Sequence, residues 1–158
     1  MKPPWRKACL GLLGCALLAG CTDAPEQANK DRVRSYLLAL LVNEAWSDWA
    51  LYFHPSATVN GSNFALQIMR GTANGLHFSI SDLELEIGEQ VAEGDWVATR
   101  FTLRGIHERP FNAQPATHRP VAFDGYAIDR FDEGRVVESR MLLDIWGLSQ
   151  RAAAGAAH

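Results

Sequence analysis

Cysteine is absent from everything that follows Cys21; the other two, Cys9 and Cys15, come before it. A domain made of the later residues therefore has no disulfide, no thiol nucleophile and no thiolate-held metal, and must be stable through its core alone. The chain also lacks His-x-His and His-Glu-x-x-His spacings, so no metal site is expected. It has no glycine-rich phosphate loop and no serine in a Gly-x-Ser-x-Gly setting, and no cofactor is expected. Basic residues are in deficit. The formal charge is −3, and without Lys2, Arg6 and Lys7 it falls to −6, which argues against nucleic acid or an anionic membrane as a partner of the folded part. Internal repeats and low-complexity blocks are missing too.

The 158 residues fit one domain and a leader. Met1 to Lys7 is basic, and Ala8 to Leu18 is an apolar run too short to cross a bilayer as a helix. It ends in Leu18-Ala19-Gly20-Cys21. Small residues before a cysteine resemble the lipobox of bacterial lipoproteins, in which that cysteine becomes the acylated N-terminus. The alternative is an ordinary signal peptide that ends near a cysteine. The resemblance implies lipidation at Cys21 and membrane attachment through acyl chains in the bacterial cell envelope. Thr22, in place of Asp, implies the outer membrane facing the periplasm if the source is Gram-negative. The expected division is a leader over 1–20, a polar tether over 21–29, a domain over 30–151 and a frayed tail over 152–158.

The stretch from Val91 to Asp144 organises the domain. Three runs alternate apolar and polar residues: Trp96 to Ile106, Val121 to Phe131 and Val136 to Ile145. Period two marks a strand with one buried face. Asp132-Glu133-Gly134 joins the last two as a tight turn, and the loop from Glu108 to Pro120, with its three prolines, resists regular structure. A further strand is expected over His77 to Gln90, bent near Ser81-Asp82, where the apolar parity switches. Upstream, Val33, Tyr36, Leu37, Leu40 and Leu41 recur at three and four, a helical stripe capped by Asn29 or Asp31. Ala57 to Val59 reads as a short strand or edge. A second helix is capped by Ser62 or Asn63, turns Phe64, Ile68 and Met69 inward, and ends between Gly71 and Gly75. Two helices followed by an antiparallel meander make an α+β plan.

From Gly94 the chain reads GDWVATRFTLRGIH, then the proline loop, then Arg130-Phe131-Asp132-Glu133-Gly134-Arg135-Val136-Val137-Glu138, then Asp144-Ile145-Trp146-Gly147-Leu148-Ser149-Gln150. These pieces resemble the SnoaL-like polyketide cyclases, or ester cyclases, of the nuclear-transport-factor-2-like superfamily. The resemblance covers about Asn29 to Arg151. It implies a cone-shaped fold, helices closing a curled, mostly antiparallel sheet around an apolar pocket, with a homodimer as the common assembly. There are departures. The family's Gly-Thr-His-x-Gly is Gly105-Ile106-His107-Glu108-Arg109, and its Glu-His-Trp is Glu138-Ser139-Arg140. Its catalytic members use an Asp on the last strand beside a His on the neighbouring strand. Here Arg140 to Leu143 offers no carboxylate and Ala122 to Phe131 no histidine, which weakens aldol-type chemistry.

Proton transfer from carbon in such a pocket needs a buried acid–base group and a donor for the developing oxyanion. Asp144 is the candidate acid–base and Tyr126 the candidate donor; strand-end bonding and surface exposure are their plainer roles. Candidate ligand-binding residues are His54, His77, Trp49, Arg100, Glu138 and Met141. Glu138, Arg140 and Asp144 either form a solvated outer face with ion pairs or line a polar pocket end with Arg100. Val137, Ser139, Met141 and Leu143 are the inward set, and His107 and His118 are expected in solvent. Asp124 and Asp129 have opposite parity, so only one of them points inward. Three readings stay open: a pocket for a small apolar or aromatic molecule, a cofactor-free cyclase, isomerase or hydrolase, and a dimerisation module.

Overall fold

The computed structural model describes residues 23–111 and 114–144. The alternating runs form three consecutive strands: β3 Trp96–His107, β4 Pro120–Asp132 and β5 Arg135–Leu143. With β1 Phe53–Val59 and β2 Ile80–Glu93 they make one five-stranded sheet in the order β1-β5-β4-β3-β2. All pairings are antiparallel except β1 with β5, which is parallel. On β3 and β4 the odd-numbered residues face the core: Val97, Phe101, Leu103, Phe123, Ala127 and Phe131 are buried. The β4–β5 turn has Glu133 at φ 47° and Gly134 at φ 74°, the mirror-image turn that suits a two-residue hairpin.

Curvature comes from interruptions in the ladders. β2 slips register between Ser81 and Glu84, around Asp82 at φ 49°, and again between Ile87 and Gln90. The first slip is the expected bend. β5 slips beside Phe131, so Val136 and Ser139 are both buried although three residues apart. Ser139 thus follows the expected inward parity, while Val136, expected outward, joins the core ahead of the bulge. Close layering fixes one glycine: a Cβ on Gly125 would lie 2.2 Å from the Phe101 ring.

Helices cover the inner face. α1 spans Asp23–Tyr36 and runs into a π-helical turn, Leu37–Val42; α2 is the short Trp49–Tyr52, and α3 is Ala65–Ser79. The expected stripe is real, for Val33, Tyr36, Leu37, Leu40 and Leu41 are all at 0% exposure. Burying each such side chain contributes on the order of 1.5–3 kcal/mol. α1 begins earlier than the Asn29 or Asp31 cap, inside the expected tether. Pro25 lies in its first turn, where an N–H has no helical partner to lose. Glu26 suits the helix N-terminus, and it accepts a bond from the Gly94 N–H at 2.9 Å.

α3 also departs from expectation. It runs through Gly71 and Gly75 to Ser79, so the glycines are interior rather than terminal. Ala65, Met69, Ala73 and Leu76 form its buried stripe, and that burial outweighs the ~1 kcal/mol each glycine costs. Residues 77–79 are therefore helix, not strand. Phe64 precedes the helix and is 69% exposed, so it does not join the core. The leader with Cys21, the end of the third alternating run at Ile145, the 145–151 part of the family motif and the tail fall outside the described residues.

Candidate functional site

Two features bear on chemistry, one a half-open pocket and one inside the core. The first is a cavity of about 220 Å³ between α3 and the end of β5, lined by Val59, Asn60, Ile68, Met69, Thr72, Met141, Leu142 and Leu143. Its wall depends on Asn60, which leaves β1 at φ 51°, a left-handed conformation asparagine tolerates. The Asn60 side chain donates from Nδ2 to the Met141 carbonyl at 3.1 Å. It also accepts at Oδ1 from the Met141 N–H at 2.9 Å. The amide thus stands in for one more residue of β1 and prolongs the ladder on β5. Thr72 donates its hydroxyl to the Ile68 carbonyl at 3.0 Å. Both polar side chains lining the cavity are thereby engaged by the protein itself, and the remaining side-chain surface is aliphatic or thioether.

The second feature is a polar cluster in the core. Asp129 on β4 and Ser139 on β5 face each other across the ladder, and Tyr36 reaches down from α1. All three are at 0% exposure. The Tyr36 hydroxyl donates to Asp129 Oδ2 at 2.8 Å. Asp129 Oδ1 and the Ser139 hydroxyl have no well-aligned partner. The serine still sits close enough to the carboxyl to favour its charged form. Burial dominates, however, and pushes the Asp129 pKa up to about 7 against the smaller opposing pulls of Ser139 and Tyr36. Burial also raises Tyr36 well above the usual phenol value, with the Asp129 charge adding to it.

The sequence candidates are scattered. Tyr126 is 45% exposed on the outer face, so it offers no donor to the interior. Arg100 is on that same face, bound to Glu89 and reaching Asp124 at 3.5 Å rather than Glu138. Glu138 pairs with Arg130 and Arg140, the solvated-face arrangement of the two alternatives. Asp144 follows β5, its N–H donating to the Asp124 carbonyl at 2.8 Å, and it does not line the cavity. Trp49 stacks on Phe53 at 4.0 Å. His77 bonds through Nε2 to the Leu41 carbonyl at 2.9 Å, tying α3 to the π-turn. His54 Nδ1 bonds Ser56. Of the candidates, only Met141 lines the cavity.

His107 overturns its expectation. It is fully buried, with Nδ1 3.4 Å from the Thr117 hydroxyl and Nε2 without a partner; only His118 is exposed. Its odd number puts it in the inward register of β3. Asp129 was legible on the same ground, as a carboxylate in the apolar parity of β4. Asn60 had the weaker signal of an Asn-Gly pair after a strand. Among the described residues no group of three metal-ligating side chains gathers.

An open, bulged α+β sheet covered by helices on one face, with a small apolar pocket where α3 meets the end of β5, defines the class. The family model for SnoaL-like polyketide cyclase matches residues 31–151, and the chain belongs to that family. A SnoaL-like polyketide cyclase from Agrobacterium tumefaciens has a similar structure, with TM-score 0.66, 20% identity and coverage of 78% of this chain and 96% of that one. TsrD from Streptomyces laurentii has TM-score 0.68 at 21% identity, covering 81% and 97%. IdmH from Streptomyces antibioticus has TM-score 0.69 at 20% identity, covering 79% and 98%. At these identities the likeness establishes the fold. A search of curated proteins finds no match.

Proposed function

We propose that this family member binds a small, uncharged, apolar or aromatic molecule in the cavity between α3 and β5. The carrying observation is the cavity lining: aliphatic and methionine side chains, with Asn60 and Thr72 engaged by the backbone. Such a wall offers dispersion and apolar burial, and the two methionines suit an aromatic ring. A charged ligand would lose its hydration there without compensation. Acid–base turnover has less support: Asp129, the buried carboxylate of the inner face, does not line this cavity. Titration with naphthalene, followed by calorimetry, tests the reading. Saturable binding to the parent protein, lost in Thr72→Trp, supports it. No saturable binding, or binding unaffected by that substitution, refutes it.

Two outer parts of the proposal complete it. Lipidation at Cys21 anchors the domain at a bacterial membrane, and Cys21→Ser is expected to release it to the soluble fraction. No helix among the described residues is long and apolar enough to cross a membrane. A second copy of the chain covers the outer sheet face, where Trp96, Tyr126, Ile128 and Leu142 are exposed between ion pairs of both signs. Light scattering is expected to report a dimer that Ile128→Lys dissociates.

A further inference from the structure

Tyr36 is the last residue of α1, at the junction with the π-helical turn. Its hydroxyl reaches the sheet through one buried bond, 2.8 Å to Asp129. Apart from the packing of Val33, the other bonds that hold α1 lie at or near the surface. Arg34 meets Gln90 at 3.3 Å, Gln90 donates to the Lys30 carbonyl at 3.1 Å, and Glu26 holds Gly94. The buried bond is thus unlike the others, because its acceptor changes charge with no cation beside it. We propose that Tyr36 and Asp129 form a pH-sensitive latch that holds α1 and the π-turn against the sheet.

The surroundings of Asp129 make it a single-group switch. From α1 the facing titratable group is Tyr36; Arg32 bonds the Leu51 carbonyl, Arg34 bonds Gln90, and Lys30 is half-buried two turns before Tyr36. β3 presents Val97, paired with Asp129, and Thr99; β5 presents Ser139 and Val136. Phe53 packs on Tyr36 at 5.1 Å. Among these, Tyr36 alone titrates, and it stays protonated because its own pKa is driven upward. A protonated Asp129 has a hydroxyl to donate, and the unpartnered Ser139 oxygen across the ladder is a ready acceptor. An ionised Asp129 is a buried charge held by the Tyr36 hydroxyl with the Ser139 hydroxyl nearby, and lifting α1 to admit water relieves it.

The sign follows from linkage. The folded carboxyl titrates near 7 against an ordinary value of 3.8. Between those values the closed state holds a proton that the open state has lost, so closure weakens as pH rises, then stays constant above the folded pKa. For one proton the limit is tenfold in the opening equilibrium per pH unit.

Amide hydrogen exchange of the full chain, corrected for intrinsic rates between pH 5 and 8.5, tests the latch. Protection of residues 24–42 is expected to fall approaching tenfold per unit up to about pH 7 and then level, and at every pH to stay below that of β3 and β4, which open only by global unfolding. Asp129→Asn is expected to make α1 protection independent of pH. Tyr36→Phe, which removes a bond that favours the charged form, is expected to carry the fall on to higher pH before it levels. A flat wild-type profile, the same fall in Asp129→Asn, an unchanged levelling point in Tyr36→Phe, or protection of residues 24–42 equal to that of β3 and β4 would each overturn the proposal.

Discussion

Asp124 and Asp129 lie five residues apart on one strand and live in opposite worlds. Asp124 is on the outer face, 33% exposed, held by the Thr102 hydroxyl at 2.8 Å and by Arg100. Its neighbour Glu89, bound to the same arginine, has its pKa pulled below the ordinary carboxylate value. Asp129 is fully buried with no cation beside it among the described residues, and burial drives its pKa the other way. The strand's period of two is the whole cause: one step of parity exchanges a solvated ion-pair ladder for a low-dielectric core. Charge on this sheet is cheap outside and costly inside, which explains why the outer face carries Glu86–Arg104, Glu89–Arg100 and Arg130–Glu138 while, among the described residues, Asp129 is the one buried carboxyl.

The largest test of that asymmetry concerns volume. Gly125→Val puts atoms where the Phe101 ring already is, at a cost of about 3 kcal/mol or more, whereas Tyr126→Val next to it changes stability by about 0.5 kcal/mol or less. Urea unfolding of the pair measures the contrast, and equal effects would break it. Next comes charge. Asp129→Asn is expected to raise stability at pH 8 and to lose that advantage below pH 4. Intermediate is Asn60→Ala, which removes both bonds to the Met141 backbone and should cost about 1–2 kcal/mol together with ligand affinity. Smallest is Asp124→Asn, whose unfolding midpoint should barely move, because ion pairs open to solvent contribute little.

Much of this was readable before any coordinates. Alternation located β3, β4 and β5 to within a few residues because each has one wet face, and Asp132-Glu133-Gly134 marked their hairpin. The parity argument separated Asp124 from Asp129, yet it had more to give: Asp129 shares its register with Phe123, Ala127 and Phe131, and His107 shares one with Phe101 and Leu103. A polar residue in an apolar register is the signal that Asp144 and Tyr126 lacked. Other features were not legible. A proline in a first helical turn looks the same as a proline in a linker, so α1 appeared to start late. The bulge on β5 depends on how β4 twists beneath it, and the parallel docking of β1 depends on contacts far apart in sequence. The cavity wall at Asn60 exists only once those two strands meet.

The measurement closest to the centre of this account is the carboxyl carbon shift of Asp129, followed by NMR from pH 3 to 9. A midpoint near 7 is predicted, moving upward in Tyr36→Phe. A midpoint at or below 4 would mean that the inner face treats a carboxylate no differently from the outer one, and the contrast between the two faces would fall.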